Sequence, residues 1–262
     1  MSLDTALWLA GDIAEAAIIG LFIYRRLWRS FPLFFLYIVQ AIIGDVGLAI
    51  ILRHFRSAYM IWYLSETITD SVLLFAVLVE LAWSILKPLR ASLSRRALIP
   101  VSGFILAVGA AVWPFTALPA VAGRSVEFRL LVQLEQTVSI LQIIFLLALI
   151  ASSQVLSIGW RDRELQIATG LGFFSAFDVA AAILHTHQTS YLQYKHLDQA
   201  LVGAWLCSLL YWAVSFIQKE AERREFTPEM QRVLLAVAGA ARASRVVLTE
   251  SQAGRPHRHD QH

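Results

Sequence analysis

The chain has 262 residues, 58% of them hydrophobic, and a formal net charge of +3. With a mean hydropathy of +0.61, it is far more apolar than a soluble domain, and with about 20 apolar residues needed per span it has room for several spans but not for a second large globular domain. The 22 lysines and arginines lie scattered between apolar segments, which argues against a nucleic-acid partner and for the lipid bilayer.

Apolar runs fall at about 6–24, 32–52, 59–83, 98–118, 128–154, 164–185 and 198–218, each long enough to cross as a helix that satisfies its own backbone. The first follows Met1, Ser2, Leu3 and Asp4. That start lacks the positive leader and cleavage site of a secretory signal, so the run is expected to remain as a span. The fold class expected is all-α, a seven-transmembrane helix bundle over residues 1–218. Beyond it the composition turns polar, and Thr227, Pro228 and Glu229 read as a helix start. Met230, Val233, Leu234 and Val237 follow at helical spacing. A cytoplasmic segment at 219–253 is therefore expected to contain an amphipathic helix at about 228–248, lying on the inner leaflet or docking a cytoplasmic protein partner. Residues 254–262, with His257, His259 and His262, read as a disordered tail.

Orientation follows from the basic residues, because cytoplasmic loops retain positive charge. The first, third and fifth loops carry Arg25, Arg26, Arg29, Lys87, Arg90, Arg95, Arg96, Arg161 and Arg163, against Arg53, Arg56, Arg124, Arg129 and Lys195 in the even loops. This bias predicts an outside N-terminus and a cytoplasmic C-terminus. The tryptophans agree: Trp8, Trp62 and Trp113 fall near outer ends, and Trp28, Trp83 and Trp160 near inner ends. Cys207 is the single cysteine and there is no asparagine, which excludes an intramolecular disulfide and N-glycosylation.

The candidate functional residues are acids inside the spans. Asp12, Glu15, Asp45, Glu66, Asp70, Glu80, Glu135 and Asp178 all lie within apolar runs, whereas every lysine and arginine lies at or beyond a span edge. An unpaired carboxylate in hydrocarbon costs several kcal/mol, so such groups must be protonated, hydrated, near a cation, or hydrogen-bonded toward the bundle interior. Glu66, Asp70 and Glu80 share a stripe of span three, Asp12 and Glu15 share a face of span one, and Glu135, Ser139 and Gln142 form a stripe on span five. Asp12, Glu15, Asp45, Glu66, Asp70, Glu135 and Asp178 are therefore the ligand- or proton-binding candidates, expected around a wet cleft opening outward; interhelical hydrogen bonds with structural waters are the alternative. Small residues Gly172, Ala176 and Ala180 on span six predict close helix packing.

His54, His185, His187 and His196 map to outer span ends. With Asp178 and Asp198 nearby in sequence, His185, His187 and His196 are the metal-ligand candidates for a divalent cation such as zinc, against the reading of ordinary interfacial histidines.

Seven spans with an outside N-terminus resemble rhodopsins in outline, but Lys87, Lys195 and Lys219 all lie at span edges, which argues against retinal. The residue types are also similar to the zinc hydrolases of the alkaline ceramidase and adiponectin-receptor kind, without their paired histidines in the last span. Tyr63-Leu64-Ser65-Glu66, Glu80 before Lys87 and Pro88, Leu134 and Glu135 with Gln142, and Gly170-Leu171-Gly172 carry a closer likeness. The chain resembles bacterial, acidobacterial-type seven-span membrane proteins with no assigned activity, which implies a bacterial inner-membrane location and no particular reaction.

The function expected first is a sensor or binding protein whose outward cleft holds a proton, cation or small ligand and signals through 228–248. A proton- or cation-coupled transporter comes second and an intramembrane zinc hydrolase third; no nucleophile motif or nucleotide-binding sequence favours an enzyme.

Overall fold

The structure, a computed structural model, describes residues 3–85, 98–116, 126–152, 162–185 and 191–218. These residues form seven α-helices and no strand: α1 Leu3–Tyr24, α2 Pro32–His54, α3 Tyr59–Ile85, α4 Leu98–Val112, α5 Val126–Ser152, α6 Arg163–His185 and α7 Tyr191–Ile217. All but α4 are long and apolar enough to cross a membrane. Its 15 residues rise about 22 Å, short of the roughly 30 Å of a hydrocarbon core. The apolar run expected to reach 118 tightens at Pro114 into a 3-10 turn, Trp113–Phe115. At the other extreme α7 starts at Tyr191, so the polar run before Asp198 is helical as well. The segments 219–253 and 254–262 lie outside the described residues.

The helices close into a ring. α1 packs on α2 and α7, α7 on α6, α6 on α5, and α3 bridges α2, α4, α5 and α6. Their outer faces leave Ile13, Leu36, Ile61, Val72, Phe104, Leu147 and Leu210 exposed, a belt of apolar surface that water would penalise and acyl chains accept. The protein is thus an all-helical membrane protein.

One end of the bundle is held by charged side chains bonded to helix termini. Phe31 offers no side-chain cap to α2 and Pro32 has no N–H, so the next orphan donors need a partner from elsewhere. Glu80 of α3 supplies it, accepting from Leu33 N at 2.9 Å and Phe34 N at 3.0 Å. The C-terminus of α7 is capped in the opposite sense. The Arg163 guanidinium donates to Ser215 O at 2.7 Å and Gln218 O at 2.6 Å, and Arg25 donates to Ile217 O at 2.6 Å. Cations at a C-terminus and a carboxylate at an N-terminus both complement the helix dipole. Ser84 donates to Glu164 at 2.6 Å and ties α3 to α6 at the same end.

Above these clamps lies a dry aromatic layer. Phe34, Trp212 and Phe216 are each fully buried. Trp212 meets Phe34 edge-on at 4.9 Å and Trp205 at 5.7 Å, and Phe22 meets Phe216 at 5.1 Å. The buried Arg163 guanidinium lies over the Phe216 ring, 5.5 Å from its centroid, so the layer rests directly on the clamp. Trp212 fits because Gly170 leaves its place empty: a Cβ there would overlap the indole, whose Nε1 donates to Gln166 O at 3.1 Å. Gly172 makes the same kind of room for Leu146 of α5. Ala176 and Ala180 are exposed, so the expected packing stripe on α6 contracts to its glycines.

Gly170→Ala is expected to destabilise the protein by about 1–3 kcal/mol through overpacking, whereas Gly20→Ala, with open space at its Cβ, should not. Thermal unfolding of the two variants in detergent checks this, and equal midpoints would contradict the packing described.

Candidate functional site

The acids of α1, α2, α3, α5 and α6 line up at the end of the bundle away from the Glu80 and Arg163 clamps. Antiparallel alternation accounts for it. Asp12 lies in the N-terminal half of α1 and Glu15 just past its midpoint, Asp45 in the C-terminal half of α2, Glu66 and Asp70 in the N-terminal half of α3, Glu135 early in α5 and Asp178 late in α6.

Asp12, Glu15 and Asp45 converge most tightly, each offering a carboxylate oxygen within 4.8 Å of the others. Glu15 is buried at 1% exposure. Its Oε1 accepts from Trp205 Nε1 at 2.7 Å, while its Oε2 and Asp12 Oδ1 are buried without a hydrogen-bond partner. An orphaned buried carboxylate oxygen costs at least the 1–3 kcal/mol or so of an unmade hydrogen bond. Among the described residues, no lysine, arginine or histidine pairs with any of the three.

The string continues from there. Glu66 lies within coulombic reach of Asp45, and Asp70 of Glu66. Gly44 makes this approach possible, because a Cβ at that position would overlap the Glu66 carboxylate. Glu135 is in turn within reach of Asp70 and Asp178. Its side chain keeps exposed surface while lying within reach of acids on both α3 and α6. Asp178 is the best-partnered member, accepting from Ser139 at 2.7 Å and Gln136 at 3.4 Å. One turn away Ser175 donates to Gln142. The polar stripe of α5 thus faces α6, as an inward-turned stripe must.

Two aromatic residues complete the site and carry no carboxylate signal by which to find them. Tyr37 is buried, lies within coulombic reach of Asp70, Glu15 and Asp178, and meets Trp205 edge-on at 6.1 Å. Tyr63 lies likewise between Glu135 and Glu66. A phenol in an otherwise apolar run is the one trace either leaves in the sequence.

Neither of the histidines whose side chains are described, His54 and His196, joins this cluster. His196 is exposed on α7, and His54, also exposed, shares a hydrogen bond with Ile50 O at 3.2 Å. His187 lies outside the described residues, as does the side chain of His185. The converging metal-ligating group among the described residues is made of carboxylates alone. A separate apolar concavity of about 530 Å³ opens between α3, α4 and α5, lined by Phe75, Leu106, Trp113 and Leu141 among others; it contains no ionisable side chain.

No protein-family profile, curated protein or solved structure matches the chain. What its fold and site define is an all-helical membrane protein with an acidic interior.

In a Cys207→Ala background, Glu135→Cys is expected to react with a hydrophilic maleimide and Leu81→Cys, buried in the aromatic layer, to stay unmodified. Mass spectrometry of the labelled protein reads the difference, and an inert Glu135→Cys would show that no hollow reaches that depth.

Proposed function

We propose that the protein is a membrane sensor or binding protein whose acidic cleft takes up a proton, a cation or a small ligand from the extracytoplasmic side. The observation that carries this reading is the convergence of Asp12, Glu15 and Asp45, continued through Glu66, Asp70, Glu135 and Asp178, with no basic partner among the described residues to neutralise it. Ionised together these groups repel, and protonation or a bound cation relieves the repulsion. The cleft is then a place where occupancy changes how α1, α2, α3, α5 and α6 pack.

Topology belongs to the same proposal. The clamped end holds Arg25, Arg26, Arg29 and Arg163, so the positive-inside rule assigns it to the cytoplasm and the acidic end to the outside of a bacterial inner membrane. Seven crossings follow if α4 spans with its 3-10 extension. A change at the cleft would pass to a cytoplasmic protein through 228–248.

A proton- or cation-coupled transporter is the second reading, favoured by the string of acids that runs from α1 to α6. Against it stands the layer of Phe22, Phe34, Trp212 and Phe216, whose fully buried apolar rings lie between the cleft and Glu80.

Reconstituted protein is expected to change its tryptophan fluorescence saturably as the pH on the acidic face falls, with a displaced midpoint in Asp70→Asn and no flux reported by a trapped pH dye. Sustained flux abolished by Asp70→Asn would replace binding with transport. An accessibility tag placed after Gln218 should be protected in spheroplasts and reactive in inverted vesicles.

A further inference from the structure

The acidic cleft is read above as taking a proton, cation or small ligand; resting on that reading, the geometry points to a narrower one. Asp12, Glu15 and Asp45 form an all-oxygen site for a hard divalent cation, with calcium the best match in size.

Charge gives the valence. Three carboxylates from α1 and α2 meet without a basic side chain among the described residues, and Glu66 adds a fourth negative charge nearby. A monovalent ion would leave most of that charge uncompensated in a low-dielectric setting. A divalent ion offsets two of the three charges, and the Trp205 N–H, 2.7 Å from Glu15 Oε1, polarises toward the third.

Ligand chemistry gives the class. The group contains neither histidine nor cysteine, and carboxylate oxygens suit calcium, magnesium and manganese rather than zinc. Oxygens within 4.8 Å of one another can be bridged by an ion with calcium's oxygen distances of about 2.3–2.6 Å. Magnesium, at about 2.0–2.1 Å, would require them to close up or keep several of its waters.

The independent sign of a ligand is the unfinished bonding of Glu15. Glu15 is at 1% exposure, yet its Oε2 has no donor, and neither does the buried Oδ1 of Asp12, a member of the same group. In a structure that gives Glu80 two backbone N–H groups and Asp178 two side-chain donors, orphan oxygens on the two α1 acids mark the position of an electrophile. The pair Trp205–Glu15 also provides a reporter, because the indole is bonded directly to a proposed ligand.

The full chain, purified in nanodiscs and stripped with a chelator, is titrated with CaCl2, MgCl2 or ZnCl2. Calorimetry, tryptophan fluorescence and the thermal midpoint are followed. One saturable calcium per chain is expected, with weaker magnesium, a fluorescence change, and a raised midpoint. Asp45→Asn should lose at least tenfold in affinity and the calcium-dependent rise in midpoint, while unfolding in the absence of calcium no earlier than the wild type, since a repelling charge is gone. Asp12→Asn, on a half-buried position, gives the same test should Asp45→Asn not fold. Absence of saturable calcium or magnesium binding, binding indifferent to both Asn variants, or zinc binding alone that is lost in His196→Ala would each overturn the proposal. Acid titration then separates two kinds of failure. A pH transition shifted by Glu15→Gln without any cation effect leaves the cleft as a proton site, and no response to proton or cation removes the broader reading as well.

Discussion

A carboxylate inside a hydrocarbon slab has few places to point. Lipid offers it no donor, and this chain places its lysines and arginines only at or beyond the edges of the apolar runs that carry Asp12, Glu15, Asp45, Glu66, Asp70, Glu135 and Asp178. Each acid therefore fixes the rotation of its helix about its own axis, because turning outward costs several kcal/mol per group. Five of the seven helices bear such an acid in the same half of the bundle. Their common inward direction gathers the charges that the protein then has to manage. The pairing of Ser139 and Gln136 with Asp178, the indole on Glu15 and the notch at Gly44 are local answers to that single demand.

The two ends of the bundle solve opposite problems. At the basic end charges are spent on backbone, with Glu80 closing the start of α2 and Arg25 and Arg163 closing the end of α7. Every orphan group satisfied there is one that lipid cannot satisfy. At the acidic end bonding is left incomplete. Between them the edge-to-face aromatic layer packs Phe22, Phe34, Trp205, Trp212 and Phe216 into a floor. Trp205 belongs to both regions, with its ring among the aromatics and its N–H on Glu15.

Helix positions were legible in the sequence because a span must be about 20 residues long and apolar, and six of the seven runs appear as helices of that kind. The inward orientation of the acids was legible from desolvation cost. Which partner each acid would find was not. Glu80 shares a stripe with Glu66 and Asp70, yet it bonds to the backbone of α2, an outcome decided by how α2 begins beside α3 rather than by spacing along α3. Arg163 reads as a loop cation and is instead buried against α7, because the end of α7 needs a donor. The histidines gather in a linear map of span ends, but His196 lies exposed on α7 and outside the carboxylate group, and helical phase is what a linear map omits. Tyr37 escaped notice, and Tyr63 stands out only as part of the Tyr63-Leu64-Ser65-Glu66 run and not as a member of the site, since a phenol carries no charge to mark it.

Arg25 and Arg163 hold the last turn of α7 from two neighbours, α1 and α6, which also contribute Glu15 and Asp178 to the cleft. The position of the last turn of α7 is consequently set by two struts, each rooted beside a helix that bears one of the inward acids. Unequal shifts of those two helices would load the struts unequally, so a small tilt on the far side of the aromatic floor becomes a lateral force on that turn.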